Sequence, residues 1–334
     1  VTSISPPRPL LLAAVLALAF FPLAAPTFYL QLGAKIMILA IFALSLDLLV
    51  GHTGMISFGH AAYFGVAAYA LALISPQYEA ANLWLTLPAA IGVATLAALL
   101  VGFFVVRTGG VYFIMVTLAF AQMLYAVFHD TKIAGGSDGI YIYVRPKLTI
   151  AGWQPLDLEN PAQFYYLALI FLVAVYVFLS RVLEAPFGRA LAGIRLNERR
   201  MRSIGYPVFA YKLGAFTLAG ALAGLAGYLA ACQFGFVNPD ILAWQQSGIV
   251  LMMVILGGMG RLHGAVLGAF FYVLLQEALS AQALLGAYAK HWQLALGGLI
   301  VLIVLVLPHG IGGVLEAALR RRSYRRMSRS GEIA

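Results

Sequence analysis

The chain has 334 residues, 63% of them apolar and only 10% charged, with a mean hydropathy of +0.93. That balance excludes one or two soluble domains of the same length and indicates a polytopic membrane protein. The formal net charge of +9 does not indicate nucleic-acid binding, because the positives sit at the ends of apolar runs, where anionic lipid and the positive-inside bias account for them.

In chain order the apolar segments fall at 10–26, 32–50, 54–75, 84–106, 111–128, 162–180, 212–232, 245–258, 262–280 and 292–308. The expected fold is therefore all-α: a polytopic transmembrane helical bundle of about 8–10 spans. Arg8 followed by an apolar run imitates a signal peptide. No small-residue cleavage site leads into a soluble domain, so a retained first span is expected. The 245–258 segment is short, and almost no loop separates the spans near residue 50, so part of 51–62 is a candidate re-entrant stretch.

Polar groups inside the spans carry the first functional hints. Asp47 lies near the end of an apolar helix, where a carboxylate is costly unless it is interfacial or paired. It reads either as an interfacial residue bonded to backbone donors or as a gate. The string at 51–70 is dense in glycine, with Thr53, Ser57, His52 and His60 as hydrogen-bonding groups. Two readings fit it: a close-packed helix face, or a broken helix lining a translocation path. Thr117 and Gln122 are polar positions on the span that begins at Gly109 and Gly110, and they join Asp47, Ser57 and His60 as path candidates. A second glycine-rich break lies at 256–271. Gly220 and Gly224 form a small-xxx-small pair, which is a packing face.

The segment 181–212 holds seven of the 21 Lys and Arg residues. From Gly188 to Ile204 it has no proline, and Leu191, Ile194, Met201 and Ile204 mark an apolar stripe beside Arg195, Arg199, Arg200 and Arg202. One amphipathic helix is expected, ended by Gly205 and Pro207. It suits an anionic membrane surface or a groove on a protein partner. If ten spans alternate, 16 basic residues fall on one side and 5 on the other. That asymmetry assigns both termini and the 181–211 loop to the cytoplasm. The segment 129–161 then lies outside, as a cap or a solvated connection, and the basic tail 317–334 lies on the inner leaflet.

The chain carries no GxxxxGK[ST] nucleotide loop, no HExxH and no nucleophile elbow. Cys232 stands alone, without disulfide or metal spacing. No cofactor and no catalytic set is expected. Translocation driven by another chain is the simplest reading, and an ion-coupled carrier is the alternative from a different class.

Several strings together resemble the LivM-type permease of branched-chain amino acid ABC importers. They are LSLDLLVGHTGMISFGHAAYFGVAAYA at 44–70, RTGGVYFIMVTLAFAQ at 107–122 and GGSDGI at 135–140. APFGRALAGIRLNERRMRSIGYPVFAYKLGAF at 185–216, SGIVLMMVILGGMGRLHGAVLGA at 247–269 and LVLPHGIGG at 305–313 complete the match. The resemblance implies a multi-pass protein of the bacterial inner membrane with no enzymatic activity. Its implied partners are a second, LivH-like permease subunit, two cytoplasmic ATPase subunits, a periplasmic solute-binding protein and inner-membrane lipid. It implies that 188–205 carries the helix coupled to an ATPase, with Arg195, Glu198, Arg199, Arg200, Met201 and Gly205 as contacts. Branched-chain amino acids are the implied cargo, with urea or short amides as the alternative. The chain departs from the family at Asp47, where Asn is usual, at Arg200 and Met201, which replace small residues, and at His309, where Arg is common.

Overall fold

The structure, a computed structural model, describes residues 8–23, 25–76, 78–150, 153–281, 286–307, 310–314 and 316–317. His309 and tail residues 318–334 lie outside the described residues. The helices are α1 (Arg8–Phe20), α2 (Thr27–Asp47), α3 (His60–Ile74), α4 (Leu83–Val105), α5 (Val111–Asp130) and α6 (Pro161–Glu184). Then come α7 (Pro186–Leu196), α8 (Glu198–Ser203), α9 (Val208–Phe234), α10 (Trp244–Gly257), α11 (Leu262–Ser280) and α12 (Trp292–Val306). Among the described residues, seven helices are long and apolar enough to cross a membrane, and three apolar helices are shorter, within Leu12–Leu23, His60–Ile74 and Trp244–Gly257. The protein is an all-α polytopic membrane bundle.

Helices α2, α3 and α9 form the centre. They are apolar on every side, as a helix surrounded by other helices should be, and their buried residues form one continuous cluster. Helix α9 packs on α4 through small residues. A Cβ added at Gly224 would lie 2.6 Å from Ala94 Cβ, and one at Gly220 would collide with Ala98 Cβ. The expected small-residue face is thus a packing face. Helix α1 is held at the periphery, where Tyr165 Oη of α6 donates to the Leu18 carbonyl (2.9 Å) and Tyr166 Oη to that of Ala19 (3.1 Å).

The 129–161 segment is folded. Strand β1 (Ile140–Tyr141) pairs antiparallel with β4 (Phe236–Val237), just after α9. Strands β2 (Leu148–Ile150) and β3 (Trp153–Leu156) pair antiparallel. Lys147 N donates to the Ala81 carbonyl (2.9 Å), and the Lys147 carbonyl accepts from Leu83 N (3.0 Å), which ties the segment to the start of α4. Arg145 donates to the Leu158 carbonyl (2.9 Å) and to the Gln233 carbonyl (3.0 Å) at the end of α9. These bonds tie the segment to the start of α4 and the end of α9.

Two segments differ from expectation. The span expected at 54–75 begins only at His60, because residues 54–59 are not helical. The single helix expected from Gly188 to Ile204 is two helices, α7 and α8, broken at Asn197. That residue adopts an extended backbone (φ −158°, ψ 96°) and its side-chain oxygen accepts from Arg200 N at 3.0 Å. An asparagine N-cap inside the basic run stops one helix and starts the next, and the stripe periodicity of the apolar residues does not register it.

Candidate functional site

The site is built around the end of α2. Past Asp47 the helix widens into a π-helical turn over Leu48–Thr53, a distortion that frees backbone groups. Thr53 Oγ1 donates back to the Leu49 carbonyl at 2.5 Å, and Met55 N donates to the same carbonyl at 3.0 Å. Gly54, at φ 75°, then ends the turn. The chain runs unwound through residues 55–59 before α3 begins, and Met55, Ser57 and Gly59 are buried there.

Unwound backbone at membrane depth survives only where neighbouring protein satisfies it. Here three donors are met by hydroxyls. Phe58 N donates to Thr117 Oγ1 of α5 (3.3 Å), Gly59 N to Ser57 Oγ (3.2 Å) and Ala61 N to Ser247 Oγ of α10 (2.8 Å). Gly59 presses so closely on α5 that a Cβ there would collide with the Thr117 carbonyl oxygen. Replacing Ser247 with Ala should leave the Ala61 amide buried without a partner, at about 1–3 kcal/mol. A lowered melting temperature of the purified complex is the expected result, and Ser247→Thr should recover most of it.

His60 opens α3 and is fully buried. Its Nε2 lies 2.9 Å from Ser45 Oγ, which itself bonds the Phe42 carbonyl at 2.7 Å. A serine hydroxyl has one proton. With that proton on Phe42, the His60 Nε2 donates, and Nδ1 is left a buried acceptor with no hydrogen-bond partner. The ring stacks on Phe42, with centroids 5.6 Å apart, and Phe42 stacks on Phe64 at 4.7 Å.

Closer to α7 the two glycine-rich breaks meet. Asp47 is completely buried, and its Oδ1 accepts from Gly260 N at 2.8 Å, across 213 residues of sequence. His52 Nε2 stands 3.7 Å from Asp47 Oδ2. Gly51 lies against the same turn, and a Cβ there would be 2.6 Å from Gly260 Cα. From α7, the Arg195 guanidinium donates to the Gly51 carbonyl. It also flanks the other break, with Nη1 3.3 Å from where a Cβ on Gly260 would stand. One side chain of the basic segment therefore touches both breaks. Beneath them lies a cavity of about 480 Å³ bounded by Gly54, Gly109, Ile194, Arg195 and Lys212.

The basic segment divides into a buried and a displayed part. Leu191 and Ile194 of α7 are buried. Glu198 takes Lys212 Nζ of α9 at 2.5 Å and Arg202 at 2.9 Å, so it anchors α8. Met201 packs against Gly193. Arg199 and Arg200 are exposed, as are Leu196 (85%) and Ile204 (63%). Gly205 has φ 90°, the left-handed conformation that suits glycine, and it ends the segment as expected.

Asp47, Ser57, His60 and Thr117 are all buried, each bonded to a different partner around the unwound stretch. Gln122 is not buried. The buried positions of α5 are Phe113, Thr117 and Ala121, and Gln122, one step round the helix, is exposed. Sequence reasoning missed Ser45 and Ser247, and it placed Gly260 in the 256–271 break without pairing it with Asp47. The first two are isolated serines in apolar runs, a signal indistinguishable from ordinary packing. Among the described residues no group of three His, Cys, Asp or Glu could hold a metal ion.

The family described as "Branched-chain amino acid transport system / permease component" matches residues 28–306. The high-affinity branched-chain amino acid transport system permease protein LivM of Escherichia coli (strain K12) is 33% identical over 322 residues, 90% of this chain and 74% of the relative. LivM of Salmonella typhimurium is 32% identical over 312 residues, 88% of this chain and 72% of the relative. The autoinducer 2 import system permease protein LsrC of Escherichia coli O9:H4 is 32% identical over 177 residues, 51% of each chain. No solved structure matches the chain significantly.

Proposed function

The chain belongs to the branched-chain amino acid permease family and is a membrane permease subunit of an ABC-type importer, not an enzyme; on that premise we propose that α7 and α8 transmit ATPase motion to the paired helix breaks. The importer architecture that the family implies combines paired permeases, ATPase subunits and a binding protein. In our reading this chain pairs with a LivH-like permease, two ATPase subunits dock on the cytoplasmic side, and a periplasmic solute-binding protein docks on the 129–161 segment. Both termini and the 181–211 loop are cytoplasmic. The cargo is a branched-chain amino acid, and the path passes Asp47, Ser57, His60 and Thr117.

One observation carries this reading. Arg195 leaves α7 and bonds the Gly51 carbonyl, while Asp47 bonds the Gly260 amide beside it. A shift of α7 therefore pulls on both breaks at once, which is the contiguous two-position element that coupling between distant sites needs. The exposed Arg199, Arg200, Leu196 and Ile204 supply a charged and apolar surface suited to a groove on a soluble partner.

The test is retention of the ATPase subunits. Reversing Arg199 and Arg200 to Glu should lose them during co-purification while the permease still inserts in the membrane. Unchanged assembly and unchanged leucine uptake would reduce α7–α8 to a surface helix pair.

A further inference from the structure

A second cavity lies away from the helix breaks, between the end of α9 with β4 and the Phe42–Phe64 stack. Its volume is about 290 Å³, at the lower end of small-molecule sites. The wall is aliphatic and aromatic, built from α2, α3, α9, α10 and α11, with Ile38, Phe42, Phe64 and Met253 among its residues. Its polar lining is Lys35, Gln233, Gln246, Gln276 and the buried Tyr272.

Two features of that lining call for a ligand. Lys35 sits two turns inside α2, partly buried, and among the described residues it has no hydrogen bond or ion pair. An ionisable side chain within a membrane span marks a functional site in the absence of a structural partner. Gln233 is the second feature. Its Nε2 donates to the Gln31 carbonyl at 2.7 Å, but its Oε1 is buried with no hydrogen-bond partner. Buried acceptors are seldom left bare. Gln31 and Lys35 are one turn apart on the same face of α2, so the bond to Gln31 brings the orphan acceptor to the neighbourhood of the unpaired cation. Lys35 and Phe42 are seven residues apart, about 10 Å of helix rise. The cavity therefore offers a cation and an acceptor at one level and an apolar wall below.

We infer that this cavity is a transit site for a zwitterionic amino acid with an aliphatic side chain. Lys35 takes the carboxylate, Gln233 Oε1 accepts from the ammonium, and the side chain lies toward Phe42 and Phe64. The inference rests on the import reading above and adds a solute site within this one subunit. The 129–161 segment fixes the mouth of the site, because its Arg145 holds the Gln233 carbonyl. The Phe42–Phe64 stack separates the cavity from His60, so the solute meets the broken helix only when that stack parts.

The test uses the intact importer in proteoliposomes, with the binding protein outside and ATP inside. If the unaltered importer takes up no branched-chain amino acid, the import reading itself fails. If it does, Lys35→Gln should lower the maximal rate of leucine uptake about tenfold, the loss expected from one charge-assisted contact. The apparent KM, set by capture at the binding protein, should stay unchanged, and Lys35→Arg should restore most of the rate. The independent measurement is saturation-transfer NMR of the importer without its binding protein. Signal from the leucine methyls should exceed that from leucinamide, which lacks the carboxylate, and the preference should disappear in Lys35→Gln. Equal signals from the unaltered importer would overturn the inference, whatever becomes of the variants. So would a Lys35→Gln defect that tracks anionic lipid content while leucine preference persists, because Lys35 would then serve a headgroup.

Discussion

Reversing Arg195 to Glu is expected to abolish coupled leucine uptake, with a loss well beyond tenfold, while the permease still inserts in the membrane. The substitution removes the bond to the Gly51 carbonyl, a charge-assisted contact of about 1.5–3 kcal/mol. It also puts a carboxylate beside Gly260, whose amide already holds the buried Asp47 carboxylate. Two like charges that close repel, and the Asp47 carboxylate is fully buried and little screened by water. Because the same side chain touches both breaks, the damage falls on transmission. Uptake and binding-protein-stimulated ATP hydrolysis, measured together in proteoliposomes, should both fall. Arg195→Lys keeps the charge and should retain part of the activity. Adding Asp47→Asn to Arg195→Glu removes the repulsion and should recover some uptake. Near-normal transport by Arg195→Glu would remove the link between α7 and the breaks.

Replacing Gly51 with Val is the second large effect, and it should appear as loss of folded protein. A Cβ at Gly51 would collide with Asp47 Oδ1 and the Gly260 amide, and would lie 2.6 Å from Gly260 Cα. All three are fixed by backbone or burial, so no flexible chain end is free to give way. Overpacking alone costs about 1–3 kcal/mol. Prying apart the Asp47–Gly260 bond adds about 1.5–3 kcal/mol, because it strands a buried carboxylate. Thermal challenge followed by size-exclusion chromatography measures this as a shifted or absent monodisperse peak. Gly92→Ala is the matched control. It sits in α4 with nothing within 4 Å of the added Cβ, and should be neutral or stabilising by about 0.5–1 kcal/mol. A Gly51→Val protein as stable as the Gly92→Ala control would mean the two breaks do not meet.

How far the site was legible depends on the kind of signal. Asp47, Ser57 and His60 stood out because a polar group in an apolar run is expensive wherever it ends up. Gly205 stood out as a helix stop, and it does adopt the left-handed conformation. The apolar stripe located Leu191 and Ile194, but it concealed the Asn197 cap that splits the helix. Glu198, which the resemblance implies as an ATPase contact, also anchors α8 to Lys212, a bond the sequence did not show. Gln122 and Thr117 looked equivalent, five residues apart on α5. Rotation about the helix buries one and exposes the other, and an all-round apolar span does not reveal which face points inward.

By itself, the sequence determined the class of protein, the positions of its apolar helices, the mid-chain basic segment and the family. These follow from transfer free energies summed over a local window, and from strings long enough to be distinctive. Only the tertiary structure decided that α2 unwinds at residues 54–59, that Ser247 satisfies the amide of Ala61 from 186 residues away, and that Asp47 answers Gly260 from 213 residues away. In a membrane, every buried backbone donor needs a partner. Which hydroxyl or carboxylate meets it depends on how the spans pack, and that is a property of the assembled bundle rather than of any one segment.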